Sequence, residues 1–182
     1  MDNNNRKYQK PSERAAKFIL NIFGSVKNIT GSTSTIIPRG QAVQHHGKEL
    51  APGKVLQYPS ILLVEDDPNI ARDFVEVIKN YYRTGSIIIF VAHAYDAAVT
   101  FFENEDVSLV IMDVDLDDKD GDGVTLTQQF LEQRPNLAIL ANSSSKISNL
   151  KLTGFGAIET LGKNPEKLKS WLLLHDKEGA GC

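Results

Sequence analysis

From residue 60 onward the chain alternates short apolar runs with stretches whose apolar positions recur every three or four residues. The runs 61–64, 86–91, 107–112, 137–142 and 157–161 are near-continuous and rich in Ile, Val and Leu, the pattern of strands buried on both faces. Between them the period lengthens. Ile70, Phe74, Val77, Ile78 and Tyr81 form one helical stripe, and Ala97, Ala98, Phe101 and Phe102 form another. Residues 124–133 predict a third helix, ended near Pro135, and 146–152 a short fourth. Leu168, Trp171 and Leu172 mark the apolar face of a fifth. Asp67-Pro68 and Asn164-Pro165 each offer a capping side chain followed by proline at the first helical position. Five strand–helix units of this kind predict a parallel sheet covered on both faces, and right-handed crossovers make it doubly wound.

The first 57 residues follow another pattern. Residues 1–11 are polar and predict disorder. Ala15, Phe18, Ile19, Ile22, Phe23 and Val26 place an apolar stripe on an amphipathic helix over 12–29. Residues 30–57 carry Gly31, Ser32, Ser34, Pro38, Gly40, Gly47, Pro52 and Gly53 and read as a linker. The expected organisation is an N-terminal extension over 1–57, a folded domain over 58–176 and a tail over 177–182. No internal repeat is present.

Charge sharpens this division. Residues 1–57 hold nine Lys+Arg and three Asp+Glu, a net of +6, while the rest nets −9. An acidic body gives no electrostatic footing for nucleic acid. The single cysteine, Cys182, excludes an intrachain disulfide and a cysteine-based metal cluster. The N-terminus has no signal-peptide core, and no apolar run approaches the ~20 residues needed to span a bilayer. A soluble cytoplasmic protein is the expectation.

The strand ends carry the candidate chemistry. One run ends in Glu65-Asp66-Asp67, a second in Asp113, and a third in Asn142-Ser143; Lys163 follows the last. In parallel neighbouring strands these groups meet at the C-terminal edge, where open α/β sheets place their ligands. Acids, a hydroxyl and an ammonium suit a divalent cation and a phosphoryl group. Three carboxylates in one place repel, so without a cation at least one pKa rises. Mg²⁺, a hard ion, takes oxygen ligands from one or two carboxylates plus a phosphate.

Val64-Glu65-Asp66-Asp67-Pro68, Met112-Asp113, Asp122-Gly123-Val124, Ser143, and Gly156-Ala157 leading to Lys163 resemble, in order and spacing, a CheY-like receiver domain of bacterial response regulators. The resemblance spans residues 60–175. It implies a flavodoxin-like five-stranded sheet in the order 2-1-3-4-5. It implies Asp113 as phosphoacceptor, with Ser143 and Lys163 contacting the phosphoryl oxygens. It implies Mg²⁺ bound by Glu65, Asp66, Asp113 and the backbone carbonyl of Asp115. The implied donor is a histidine kinase or phosphotransfer protein. With only residues 175–182 after the last helix, a stand-alone receiver signalling to a downstream protein partner is expected, rather than a turnover enzyme. The N-terminal stripe could dock on the body, on a partner or on a membrane surface.

Some positions depart from the family pattern. Asp117 stands where proline usually follows the phosphoacceptor by four residues, and the loop to Gly123 is about two residues longer. Thr160 replaces a common aromatic. The segment from Ser143 to Gly156 is short, and the proline after the lysine is displaced to Pro165. Asp118-Lys119-Asp120-Gly121-Asp122-Gly123 resembles the first half of an EF-hand Ca²⁺ loop, but position twelve is Gln129 and position eight is Thr125. Asp113-Val114-Asp115 resembles the strand-end motif of haloacid-dehalogenase-like phosphatases, although the acidic pair lies upstream here. A receiver fold used only as an unphosphorylated binding module is a further alternative. Outside these motifs, Asp67 reads as a cap, His45 and His46 as solvated linker residues, His93 as a helix start and His175 as a helix end.

Overall fold

The computed structural model describes residues 34–37, 39–116 and 121–176. The expected 12–29 helix, the expected N-terminal disorder, the 177–182 tail and the first three residues of the EF-hand-like loop fall outside them. Seven strands and five helices follow in the order β1 (Ser34–Ile37), β2 (Gly40–His46), β3 (Ser60–Val64), α1 (Pro68–Tyr81), β4 (Ser86–Ala92), α2 (Tyr95–Asn104), β5 (Leu109–Met112), α3 (Gly123–Gln133), β6 (Ala138–Ala141), α4 (Lys146–Gly154), β7 (Glu159–Thr160) and α5 (Pro165–His175).

The five strands expected from the apolar runs pair in parallel as β4-β3-β5-β6-β7, the 2-1-3-4-5 arrangement. Alternation along each strand divides the core in two. Leu62, Val64, Val110, Met112 and Ile139 face α2 and α3, meeting Phe101, Phe102, Leu126 and Phe130. Ile61, Leu63, Ile111 and Leu140 face α1 and α5, meeting Phe74, Ile78, Leu168 and Leu172. The sheet is therefore covered on both faces.

The capping signals act as read. Asp67 accepts from Asn69 N at 2.7 Å ahead of Pro68, and Asn164 accepts from Glu166 N at 3.0 Å ahead of Pro165. In α1 the buried row contains Ala71 and Val75 in place of Val77, which is half-buried. Near the end of α5 the fully buried Asp176 accepts from the Tyr82 hydroxyl, and Tyr81 Oη donates to Leu172 O at 3.0 Å. Burial and then Asp176 hold the Tyr82 phenol well above its ordinary range. These bonds tie the last helix to the first.

The 30–57 stretch corrects the linker expectation over part of its length. Ser34–Ile37 and Gly40–His46 form an antiparallel hairpin, and all seven residues of β2 pair with β4, from Gly40 with Ala92 to His46 with Ser86. Among the described residues the sheet thus has seven strands, the five expected parallel ones and two antiparallel additions. Composition misled here because Arg39 lies in a hairpin turn and Gly40 opens a strand, rather than both belonging to an unstructured connection. Arg39 takes a left-handed φ of 60° at that turn. The polar Gln41, Gln44 and His45 give no apolar alternation; β2 forms because the edge of β4 offers unpaired backbone groups, a tertiary cause. His45 is half-buried and donates from Nε2 to Tyr82 O at 2.9 Å, which corrects its reading as solvated; His46 is exposed and bonds Ser86 Oγ at 3.0 Å.

At the start of β2, a Cβ on Gly40 would lie 2.8 Å from Phe101 Cε2 and 3.2 Å from Val91 O. The hairpin approaches α2 too closely there for a side chain. Gly40→Val is expected to destabilise the protein by about 1–3 kcal/mol, the usual cost of overpacking. Equal urea midpoints for variant and wild type would refute this packing.

Candidate functional site

The polar strand ends converge at the C-terminal edge of the parallel sheet. Glu65 leaves β3, Asp113 leaves β5, and both are fully buried. Lys163, just past β7, reaches between them: its Nζ is 2.7 Å from Asp113 Oδ2 and 2.8 Å from Glu65 Oε1. Asp113 Oδ1 accepts from its neighbour Val114 N at 2.7 Å and from Asp115 N at 3.4 Å. Asp67 N donates to Glu65 Oε1 at 3.3 Å.

The electrostatics follow from burial. Desolvation raises Glu65 from its usual 4.5 to about 7, with Asp113 adding repulsion and Lys163 opposing both. Asp113 is raised too, by burial first, against the pull of Lys163 and the two backbone amides. Burial alone would lower Lys163, but its bonds to Asp113 and Glu65 outweigh that and push it up to about 12. One ammonium thus neutralises part of a cluster with more negative charge than it can balance.

Asp66 joins this cluster. Oxygens of Glu65, Asp66 and Asp113 lie within 4.8 Å of one another, and Asp66 is half-buried where the other two are enclosed. Three hard oxygen donors around an opening match a hard divalent cation. Asp115 stands at the mouth, exposed, its Oδ2 3.4 Å from Ser143 Oγ.

Ser143 is fully buried and its backbone is held on both sides. Its N–H donates to Asn149 Oδ1 at 2.9 Å, and its carbonyl accepts from Asn149 Nδ2 at 2.7 Å. Its hydroxyl oxygen accepts from Ser145 N at 3.1 Å. Ser145 in turn caps α4, accepting from Ser148 N at 3.2 Å, and lets that helix run nine residues despite the short segment. The loop carrying the hydroxyl is thereby tied to α4.

Sequence reasoning missed three residues here. Asn142 bonds both Glu65 and the Lys163 backbone, at 3.2 and 3.0 Å. Asn149 clamps Ser143. His93 precedes α2 as expected, but its ring Nδ1 also lies 2.8 Å from Glu65 O, and its backbone N–H donates to Arg39 O at 2.7 Å in the hairpin turn. Since a carbonyl only accepts, Nδ1 carries the proton. The available signal was an asparagine closing an otherwise apolar strand run at Asn142.

Other candidates fall elsewhere. Asp122 caps α3, accepting from Thr125 N and Thr125 Oγ1 at 2.9 Å each. Asp117 to Asp120, and with them the first three residues of the candidate Ca²⁺ loop, lie outside the described residues. Thr160 is half-buried on β7. His175 stacks on Trp171 with ring centroids 4.5 Å apart, away from the acids. Among the described residues, no helix is long and apolar enough to cross a membrane.

Known proteins are similar to this chain in sequence and in fold. The family model "Response regulator receiver domain" matches residues 61–171. The sensor protein TorS of Escherichia coli is 33% identical over 87 residues, covering 48% of this chain but 9% of its own length. A CheY-like receiver domain protein from Methanospirillum hungatei superposes with a TM-score of 0.51 at 20% identity, covering 67% of this chain and 96% of its own, a likeness of fold. The BeF3-activated DrrB receiver domain superposes with a TM-score of 0.51 at 25% identity, covering 64% of this chain and 96% of its own.

Proposed function

The chain belongs to the response regulator receiver domain family of two-component signalling, and from that premise we propose that it accepts a phosphoryl group on Asp113 and passes the signal on by protein–protein contact. The observation that carries this reading is the Lys163 ammonium lodged between the buried Asp113 and Glu65, with Asp66 completing an acidic trio. The donor is a histidine kinase or phosphotransfer protein in the cytoplasm, and similarity to a stretch of a sensor protein supports that donor class.

The chemistry follows from the positions. A carboxylate oxygen of Asp113 attacks the phosphorus of the donor. The new P–O bond makes an acyl phosphate, while the donor's P–N bond breaks and its electron pair leaves on the imidazole nitrogen. Val114 N–H fixes Oδ1, so the carboxylate meets the donor in one orientation. Lys163 brings a positive charge to where negative charge accumulates. The Ser143 hydroxyl, only weakly engaged with Asp115 at 3.4 Å, is available to donate to a phosphoryl oxygen.

Glu65, Asp66, Asp113 and the backbone carbonyl of Asp115 would hold Mg²⁺. When bound, it supplies charge neutralisation for the transferring group. Phosphorylation adds roughly −1.5 to −2 charges. That charge attracts the Ser143 loop, and Asn149 carries the displacement into α4. This route needs no aromatic side chain at position 160.

The test is incubation with phosphoramidate and Mg²⁺, read by intact mass. The expected result is gain of one hydroxylamine-labile phosphoryl group that requires Mg²⁺ and is absent in Asp113→Asn. Folded wild-type protein that gains nothing would refute the proposal and favour an unphosphorylated binding module.

A further inference from the structure

The amide of Asn142 is a fully buried polar group of the site that belongs to neither the acid set nor the hydroxyl–lysine pair. It follows β6, whose Ile139, Leu140 and Ala141 are all fully buried. An apolar residue would continue that run without any desolvation cost, whereas a buried amide costs stability unless both its ends are bonded. Both ends are bonded here, one to the Lys163 backbone and the other to the Glu65 carboxylate. Oδ1 accepts from Lys163 N at 3.0 Å, and Nδ2 donates to Glu65 Oε2 at 3.2 Å. The amide orientation is unambiguous, because a backbone N–H only donates and a carboxylate oxygen accepts. The Asn142 N–H is itself held by Met112 O at 2.8 Å, one residue before Asp113, so the side chain projects from a fixed point.

The bond to Lys163 has a particular consequence. Lys163 sits at a φ of 52°, a left-handed conformation that a lysine rarely adopts. Such a conformation persists only where surrounding contacts over-determine it. The Oδ1 bond is a side-chain anchor on that backbone. From it the Lys163 side chain turns back to place Nζ on Asp113 and Glu65. Meanwhile Nδ2 fixes the second oxygen of Glu65, whose first oxygen meets Lys163 Nζ.

We propose that Asn142 is a positioning residue for phosphoryl acceptance, one amide that sets the lysine's backbone and the Glu65 carboxylate in register with each other. This rests on the phosphoacceptor reading of Asp113. It makes the lysine's effectiveness depend on a residue that never touches the phosphoryl group.

The test compares wild type with Asn142→Ala, Asn142→Asp, Lys163→Ala and the double variant Asn142→Ala/Lys163→Ala. Each is confirmed as folded by circular dichroism, and the rate of phosphoryl gain from phosphoramidate is followed against Mg²⁺ concentration. Asn142→Ala is expected to lower the maximal rate about tenfold, since misplacement by a fraction of an ångström is costly in such sites. Added to Lys163→Ala, it should lower the maximal rate by less than about twofold, because the lysine it positions is already gone. Asn142→Asp keeps an acceptor for Lys163 N–H but loses the donor to Glu65. It should therefore hold the maximal rate within about twofold while moving the Mg²⁺ half-saturation. This near-isosteric variant decides the question by itself if the alanine variant does not fold. A maximal rate unchanged in Asn142→Ala, losses that multiply in the double variant, or an Asn142→Asp rate as low as that of Lys163→Ala would each overturn the role of Asn142. Wild type that gains no phosphoryl group would overturn the underlying reading as well, so the two failures are distinct.

Discussion

Lys163→Met is expected to destabilise the metal-free protein by about 3–5 kcal/mol at pH 8, the usual result of removing one partner from a buried ion pair. Methionine keeps the unbranched apolar stem and removes the ammonium. Two carboxylates with no solvent exposure would then face each other with no cation between them. They must ionise uncompensated or bind protons at a pH that opposes it. The loss should be smaller at pH 5, and the sign follows from the raised acids. Glu65, usually near 4.5 and held at about 7 in the fold, binds its proton more tightly folded than unfolded. Its stabilising contribution is complete below 4.5 and is lost as pH rises through 7. Asp113 is shifted in the same direction by burial. Lys163, raised to about 12, keeps its charge throughout this window, so it does not alter the sign. Removing it pushes both acids further up and steepens the same slope. Mg²⁺ should reverse the defect in part, and more at pH 8 than at pH 5 where protons compete for the same oxygens. A ligand at 100 times its Kd adds roughly 2.7 kcal/mol. Thermal melts in chelator and in Mg²⁺ at the two pH values check this. Equal destabilisation at both would contradict the burial account of these acids.

Gly123→Ala should be nearly as severe for a purely steric reason. A Cβ there would lie 1.8 Å from the carbonyl oxygen of Asp113, 2.8 Å from its carbonyl carbon and 3.0 Å from Val114 Cα. These are backbone atoms, so no rotamer change relieves the clash. The Gly123 N–H also donates to Val114 O at 3.0 Å, fastening the first turn of α3 to the strand end that carries Asp113. Either α3 or Asp113 must move by roughly 1 Å, in an interior packed as densely as a crystal. The expected cost is about 3 kcal/mol or more. Phosphoryl acceptance should fall by about a hundredfold, as displacement of a reacting group by that much implies. Gly154→Ala is the matched control. Nothing lies within 4 Å of its Cβ position at the end of α4, so the alanine should be neutral or stabilising by up to about 1 kcal/mol. Urea unfolding of the two variants beside wild type decides this. A Gly123→Ala protein within about 0.5 kcal/mol of wild type would show that the close approach does not exist in solution.

Much of the site was readable before the fold because its residues sit where local signals change. Glu65, Asp66, Asp113 and Lys163 each follow an apolar run, and the common direction of parallel strands predicts the edge they reach. The caps at Asp67 and Asn164 were equally legible, since a cap and its partner amide are two or three residues apart. Asn142 and Asn149 were not singled out. An asparagine after a strand or inside a short helix reads as an ordinary turn former until its partners are known. Asn142 finds one partner 77 residues earlier and another 21 later. His93 was legible as a helix start but not as a contact of Glu65, 28 residues away.

The hairpin Ser34–His46 marks the same boundary from the side of the fold. Its β2 has no apolar alternation, yet pairs along seven residues of β4, because an exposed sheet edge selects whatever backbone can reach it. Hydrophobic period, capping side chains and strand-end acids are properties of neighbouring residues, so the amino-acid sequence by itself determined the five parallel strands, their helices and the chemical character of the edge. Strand register and chain return are properties of the folded whole. Only the tertiary structure decided that one lysine would span two buried carboxylates, that one asparagine would hold both partners in place, and that a stretch of glycine, glutamine and histidine would extend the sheet.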